Sequence, residues 1–144
     1  MTRINSGIRV KSLTDEHLLA EHREIKRIPS VYKKVCSGIP KKFCLGTGHV
    51  KFFVDKQKYL LERYKEIREE LIIRGYKIDD YSTNWKDVSE DCFNDYVPKE
   101  DSKIIAERII ERINSSPKSY FRYYKQKISK SEAIIKLKEY FKDS

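Results

Sequence analysis

The start of the chain offers a nucleophile. Thr2 follows the initiator Met, and a small residue at this position usually allows that Met to be removed, which leaves a free Thr α-amine. An α-amine has a pKa far below that of a lysine, so a useful fraction is neutral and nucleophilic at physiological pH. The neighbouring cation of Arg3 would lower that pKa further. The chain start is therefore a candidate catalytic amine.

A carboxylate surrounded by basic residues follows in the segment HLLAEHREIKR. On a helix, Glu24 falls within roughly 20° of His17. Glu21 lies close on the other side, while Arg23 and Arg27 occupy an adjoining stripe. Such a set suits an anion-binding site that also needs an acid or a base. The alternative is an exposed helix held by ion pairs that contribute about a few tenths of a kcal/mol each.

The charge of the chain favours a polyanionic partner. The 144 residues include 31 Lys and Arg against 22 Asp and Glu, a formal net charge of +9. Residues 1–78 carry 18 basic and 9 acidic side chains, residues 79–101 carry 2 and 8, and residues 118–144 carry 8 and 3. A polyanion would therefore be attracted to the two ends of the chain, and nucleic acid is the commonest such partner. A solvated basic surface and an anionic membrane are the alternatives.

Length and composition exclude several protein classes. A chain of 144 residues with 39% hydrophobic and 12% aromatic residues is expected to form one globular domain rather than a disordered segment. It has no apolar run of the length that spans a bilayer and no apolar core of a signal peptide, so we expect an intracellular protein that is neither secreted nor membrane-bound. Three cysteines, Cys36, Cys44 and Cys92, lack the paired spacing of a zinc site or a disulfide framework, so neither a metal nor a disulfide is expected.

The hydrophobic periodicity predicts helices. Residues 12–37 read as one long helix, with Ser12 and Asp15 as a capping box and Pro29 as a kink. A loop over 37–48 and a second helix over 49–74 follow.

The remainder of the chain also lacks a clear strand pattern. A third helix is predicted from Pro98 in its first turn to about Asn114. An irregular aromatic and basic segment then covers 115–127, and SEAIIKLKEYF forms a short amphipathic helix. The predicted fold class is therefore all-α, a compact domain of about three main helices plus a C-terminal helical extension.

Six segments of the chain, taken in order, resemble one enzyme family. The sequence is similar to the pyrimidine-dimer DNA glycosylases, the ultraviolet-specific phage enzymes also called endonuclease V. The segments extend across residues 2–125, and they are TRIN, HLLAEHRE, LGTGHVKFFVDK, RGYKI, DYVPKE and YFRYYK. The resemblance divides the chain into a glycosylase-like domain over 1–125 and a basic amphipathic extension over 126–144.

The resemblance implies an activity on damaged double-stranded DNA. It implies a monomer without metal, cofactor or obligatory protein partner, in which the Thr2 amine attacks the sugar of the damaged nucleotide and releases the base. The resulting imine permits β-elimination, which cuts the strand. By motif, Glu24 is the essential carboxylate, and Arg3, Arg23 and Arg27 lie around the lesion and its phosphates.

The other candidate DNA-binding residues include two places where the chain departs from the family pattern. His17 is one candidate, within the matching segment HLLAEHRE. Glu16 is another, and it stands where the family pattern predicts an amide side chain. In the aromatic segment, Tyr120 and Phe121 replace an expected tryptophan. The DNA-binding candidates there are Tyr120, Arg122 and Tyr124. The tyrosines could stack on bases or pack in the core, and the sequence leaves both possibilities open.

Two alternative functions stay open. One is a non-catalytic basic helical module that binds bent or damaged DNA. The other is a glycosylase or abasic-site lyase for a different lesion. The terminal helix could pack on the domain, contact phosphates or mediate self-association.

Overall fold

The computed structural model describes residues 3–33 and 37–142, without the side chains of 140–142. Thr2 and Cys36 therefore lie outside the described residues. The α-helices of the described part are α1 (Asp15–Ile25), α2 (Arg27–Val31), α3 (His49–Phe52), α4 (Gln57–Ile73), α5 (Asp101–Ser115) and α6 (Lys130–Lys142). None of the helices in this part combines the length and the apolar character needed to cross a bilayer.

The prediction of an all-α fold is wrong, because the aromatic segment forms a β-hairpin. Strand β1 (Tyr120–Tyr123) pairs antiparallel with β2 (Gln126–Ser129), and Phe121 lies opposite Ile128. Phe121 is buried in the core. The two turn residues, Tyr124 and Lys125, have φ values of 52° and 67°, the left-handed conformation that a two-residue hairpin turn needs.

A carboxylate from α1 stabilises this turn. Asp15 accepts hydrogen bonds from the backbone N–H groups of Tyr124 at 3.0 Å and Lys125 at 2.8 Å. It also accepts from Arg74 at 2.8 Å and from the hydroxyl of Tyr76 at 2.6 Å. Burial alone would raise the pKa of Asp15, but these hydrogen bonds outweigh burial and lower it. The anionic carboxylate thus offsets the strain of two non-glycine residues at positive φ.

The predicted first helix is shorter and divided. Its N-cap is Thr14, whose side chain accepts from the backbone N–H of His17, whereas the predicted cap Ser12 lies in a preceding 3-10 turn. The chain turns at Lys26 and continues as α2, in which Pro29 is the third residue. In the first turn of a helix, a backbone N–H has no hydrogen-bond partner inside the helix. Pro29, which lacks an N–H, therefore costs α2 no hydrogen bond.

The predicted second helix is also two helices. The chain leaves helical geometry between α3 and α4, where Lys56 forms an isolated antiparallel bridge with Phe93. Gly75 follows α4 with a φ of 91°, as its predicted role as a helix stop requires. Helix α5 begins at Asp101, three residues after the predicted Pro98.

One hydrophobic core joins elements from the whole length of the described chain. It includes Ile4 from the N-terminal segment and Leu18 from α1, each fully buried. Ala133 and Leu137 of α6 are buried in the same cluster. The expected division between 1–125 and 126–144 falls inside the hairpin turn, and it stays a prediction about where the family's domain ends.

Candidate active site

The N-terminal segment is held by side chains from two other parts of the chain. The backbone N–H of Ile4 donates to Nε2 of His49 at 2.9 Å. The next residue, Asn5, donates its backbone N–H to Glu21 at 3.2 Å and its side-chain amide to the same carboxylate at 2.9 Å. These bonds fix the backbone directly after Arg3, so they set where the chain start can lie.

Glu21 is itself held by a buried ion pair. Arg63 of α4 donates to it from Nη2 at 3.0 Å and uses Nη1 to reach the carbonyl of Ile8 at 2.8 Å. Burial alone would lower the pKa of Arg63, but the charge and hydrogen bonds of Glu21 outweigh burial and raise it. Glu21 was expected on a helix surface near His17. The structure instead uses it to connect α1, α4 and the N-terminal segment.

A cavity of about 290 Å³ opens between this segment, α1 and α5. Its walls are formed by Arg3, Asn5, Glu16, His17, Ala20, Glu21, Glu24, Ile109 and Arg112. Oε1 of Glu24 and Nη1 of Arg3 are both buried and have no hydrogen-bond partner among the described residues. Unsatisfied buried charged groups are costly in a folded protein, so such a pair in a cavity wall is a candidate for contact with a ligand.

Arginines from α5 complete the electrostatics of the cavity. Burial lowers the pKa of Arg3, the charges of Arg112 and Arg108 lower it further, and Glu24 opposes them. Three guanidinium groups therefore act on the space beside Glu24. The other two carboxylates of the cavity wall are engaged elsewhere, Glu21 by Arg63 and Glu16 by the backbone of the hairpin. This arrangement attracts an anionic ligand while keeping one negative charge available for a cationic centre.

Arg112 and Arg108 were missed by the sequence analysis. Both lie on α5, whose isoleucines dominated the interpretation of that helix. Their i,i+4 spacing places them on one side of the helix beside Ile109, which also lines the cavity. That spacing was visible in the sequence, but nothing in it indicated that α5 would face the N-terminal segment.

His17 lies in the cavity wall as a neutral imidazole. Its Nδ1 lies 2.6 Å from the hydroxyl of Thr14, and its ring stacks on Phe121 with centroids 5.8 Å apart. Burial lowers the pKa of His17 to about 4, Glu21 acts in the opposite direction, and Lys118 lowers the value further. At neutral pH the ring can form a hydrogen bond with a ligand but carries no charge of its own.

Glu16 joins the cavity to the hairpin. Its carboxylate accepts the backbone N–H of Arg122 at 2.9 and 3.1 Å. The Arg122 side chain is exposed at the surface. Tyr120 is half-buried beneath the ammonium of Lys127, which lies 4.6 Å from the ring centroid. The hairpin thus presents an aromatic and two cations beside the cavity.

Three other predicted residues lie away from the cavity. Arg23 and Arg27 are exposed, and Arg23 borders a neighbouring groove with Lys77. Tyr124 donates its hydroxyl to Glu70 at 2.7 Å, and its ring centroid lies 4.6 Å from the guanidinium carbon of Arg74. The contacts of Tyr124 are thus internal to the protein.

The described residues contain no group of three or more His, Cys, Asp or Glu side chains that could hold a metal ion. Cys44 and Cys92, the two cysteines in the described ranges, are not joined to each other by a disulfide. The two His49 nitrogens are engaged with Ile4 and with the carbonyl of Cys44.

The comparison with known protein families identifies one family for this chain. The model of one family, described as pyrimidine dimer DNA glycosylase, matches residues 1–84, which is more than half of the 144-residue chain. The matched part includes Arg3, His17 and Glu24 of the cavity wall. The chain therefore belongs to the pyrimidine dimer DNA glycosylase family.

Proposed function

We propose that the protein is a pyrimidine-dimer DNA glycosylase with abasic-site lyase activity, and that the α-amine of Thr2 is its nucleophile. The observation that carries this proposal is the buried Oε1 of Glu24, which has no hydrogen-bond partner among the described residues and lies in a cavity wall with Arg3. The backbone is pinned at Ile4, two residues after Thr2. Two residues of extended chain span at most about 7 Å. Because Arg3, the residue after Thr2, lines the same cavity as Glu24, we assign the amine to this cavity.

The chemistry needs one amine and one carboxylate. The amine attacks the anomeric carbon of the damaged nucleotide, and the bond from sugar to base breaks with its electron pair leaving on the base. Positive charge develops on the sugar in this step, and the Glu24 carboxylate stabilises it. Opening of the sugar gives an imine between Thr2 and the former anomeric carbon.

The imine then permits strand cleavage. Loss of a proton from the carbon next to the imine and departure of the 3′ phosphate oxygen with its electron pair break the strand by β-elimination. Glu24 is the group we assign to these proton transfers, because it faces the cavity without another partner in the described structure. No cofactor is required in this scheme.

The DNA contacts follow from the charges around the cavity. Arg3 and Arg112 line the cavity itself and would contact the phosphates next to the lesion. The exposed Arg23, Arg27 and Arg122 would contact phosphates farther along the duplex. Tyr120, whose ring centroid lies 5.7 Å from the guanidinium carbon of Arg122, is the aromatic we assign to stacking on a base. We propose that the protein binds damaged double-stranded DNA as a monomer.

Borohydride trapping tests the nucleophile. With an abasic-site or dimer-containing duplex, borohydride should reduce the imine and leave DNA covalently attached to the protein. Peptide mapping should place the adduct on residue 2, in protein whose intact mass shows loss of Met1. An adduct on a lysine would contradict the assignment to Thr2.

The role of Glu24 is tested by Glu24→Gln, which keeps the size of the side chain and removes its charge. Binding to damaged DNA should survive, while base release should fall by about two orders of magnitude or more, because the sugar cation loses its partner. Glu62→Gln makes the same change at an exposed carboxylate of α4 and serves as the control. Base release within a few-fold of wild type in Glu24→Gln would mean that Glu24 is an ordinary residue of an ion-paired helix and not the catalytic carboxylate. Absence of base release by the wild-type protein would instead favour the non-catalytic DNA-binding function.

A panel of duplexes tests the lesion. We expect cutting at both a cyclobutane dimer and an abasic site, because the lyase step needs the amine and Glu24 but not recognition of the dimer. Variants at Glu16 and Tyr120 should affect the dimer reaction more than the abasic one. Robust abasic cutting without base release from the dimer, together with release of an oxidised or ring-opened base, would point to a different lesion.

A further inference from the structure

His49 holds the main chain of the N-terminal segment through a single hydrogen-bond acceptor. Its Nε2 accepts the backbone N–H of Ile4 at 2.9 Å, and its Nδ1 lies 2.9 Å from the carbonyl oxygen of Cys44. A backbone N–H can only donate and a carbonyl can only accept. The ring is therefore neutral, with its proton on Nδ1 and a lone pair on Nε2.

The surroundings of His49 leave the ring little freedom. The side chain is 2% exposed, and the Ile4 residue that it holds is 0% exposed. Phe43 and Phe53 contact the ring edge-to-face, each with centroids 5.4 Å away. Gly48 precedes the histidine with a φ of 93°, and a Cβ there would lie 3.3 Å from the sulfur of Cys44. The turn that presents His49 is thus built for this one geometry.

The hydrogen bond from Ile4 to His49 lies close to the chain start, where the proposed nucleophile is. The segment that follows Ile4 is anchored by Glu21 through Asn5, but that anchor acts one residue farther from the chain start. The His49 contact is the one closest to the amine among the described residues. Without it, the backbone between the amine and Asn5 would lose its fixed point and the amine would spread over more positions.

We propose that neutral His49 is a positioning residue for the glycosylase and lyase reactions, and that it acts by fixing Ile4 so that the Thr2 amine meets Glu24. The inference rests on the proposed function, because it assigns His49 a task in a reaction carried out by Thr2. Protonation of His49 removes the lone pair that accepts the Ile4 N–H. The protonated ring also brings a second positive charge toward Arg3. Loss of this contact should therefore slow the reaction in acid beyond the slowing that protonation of the Thr2 amine causes in every variant.

The charges around the ring agree with a neutral resting state. Burial lowers the pKa of His49, whereas the hydrogen bond to the Cys44 carbonyl acts in the opposite direction. Arg3 from the N-terminal segment lowers it further, while Glu21 from α1 and Asp101 from α5 raise it. The acceptor is thus available at neutral pH and is lost only as the pH falls below the usual range of histidine.

Two substitutions separate the effect of the hydrogen-bond acceptor of His49 from the effect of its positive charge in acid. His49→Leu removes the acceptor and leaves the Ile4 N–H buried without a partner. His49→Gln offers an amide oxygen near the position of Nε2 but cannot be protonated. His22→Gln is the matched control, because His22 is also buried and bonds a backbone carbonyl, that of Asp79, at 3.1 Å, but does not line the cavity.

The experiment measures the rate of borohydride trapping on an abasic-site duplex from about pH 5 to pH 8, with circular dichroism to confirm folding. Hydrogen exchange at the Ile4 amide is measured in parallel. His49→Leu should trap roughly tenfold or more slowly and exchange Ile4 faster, because the buried Ile4 N–H has lost its acceptor. His49→Gln should restore most of the trapping rate at neutral pH and flatten its decline in acid, whereas His22→Gln should keep that decline.

The outcomes distinguish this inference from the proposed function. Trapping by His49→Leu at the wild-type rate, with faster exchange at Ile4, would overturn the positioning role while leaving Thr2 as the nucleophile. An unchanged acid decline in His49→Gln would also overturn it. Failure of the wild-type protein to form any adduct at residue 2 would instead overturn the proposed function.

Discussion

Replacement of Arg63 by methionine should destabilise the protein more than a typical substitution. Arg63 and Glu21 are 5% and 1% exposed, and the arginine also donates to the carbonyl of Ile8. Removal of one partner of a buried ion pair leaves an uncompensated charge and costs about 3–5 kcal/mol. A chain of this length has a total stability of roughly 7–20 kcal/mol, so Arg63→Met should still fold.

A surface pair on α5 provides the matched control. Arg108 and Glu111 lie 3.8 Å apart with side chains 41% and 69% exposed. Exposed pairs contribute about 0–1 kcal/mol, so Arg108→Met should change the free energy of unfolding by well under 1 kcal/mol. Urea unfolding of both variants, followed by circular dichroism, measures the difference directly.

The double variant Glu21→Gln/Arg63→Met tests the physical cause. If the cost arises from an unpaired buried carboxylate, removal of that charge should recover part of the stability lost in Arg63→Met. The Arg63→Met variant should also trap abasic DNA more slowly, because Arg63 holds Glu21 in place and Glu21 in turn holds Asn5. A loss below about 1 kcal/mol in Arg63→Met would refute the reasoning, since it would mean that Glu21 finds solvent or another partner without cost.

Three further predictions concern pH, salt and the last helix. His17 has a pKa of about 4 when folded against 6.5 when free, so the unfolded chain binds a proton that the folded one does not between those values. Up to about 3 kcal/mol of stability should therefore be lost as the pH falls from about 6.5 to 4, and urea unfolding of His17→Asn should lack this part of the pH dependence. Arg112→Ala should reduce the log–log salt dependence of binding to lesion DNA by about one, measured by fluorescence anisotropy. Leu137→Ala, at a site 1% exposed, should cost about 2–5 kcal/mol in unfolding free energy, whereas Ile135→Ala, at 57% exposure, should cost little.

Local spacing was enough to predict one wall of the cavity. Helical periodicity placed Glu24 beside His17, and both line the cavity because α1 is regular over that stretch. The same periodicity predicted helices where α4 and α5 lie, with ends close to Ile73 and Ser115. These features depend on residues within a few turns of one another, which is the range over which a sequence pattern carries information.

The features that the sequence did not predict depend on distant partners or on an unusual turn. Glu21 looks like a surface carboxylate until Arg63, 42 residues later, is placed against it. The hairpin was missed because its turn has Tyr124 and Lys125 where a glycine or asparagine is typical. Its left-handed residues are stabilised by Asp15, more than a hundred residues earlier, and no local pattern reports that contact.

The hydrogen bonds of Asp15 also have a consequence for synthesis of the protein on the ribosome. Arg74 and Tyr76 reach this carboxylate from 59 and 61 residues away, but the hairpin N–H groups come from 109 and 110 residues away. A nascent chain that has released α1 and α4 can therefore form the first two contacts and must wait for the others. Contacts of such long sequence separation form late and slowly.

The hairpin can therefore cover the Asp15 face of α1 only after residues 120–129 have been synthesised. Until it emerges, the face of α1 that carries Asp15 and Glu16 has not received the strand that covers it. A ribosome stalled before residue 120 would hold a chain with Arg3 and Glu24 already made but without β1 on that face. The covering of this face of α1 thus depends on residues made long after those that carry Arg3 and Glu24.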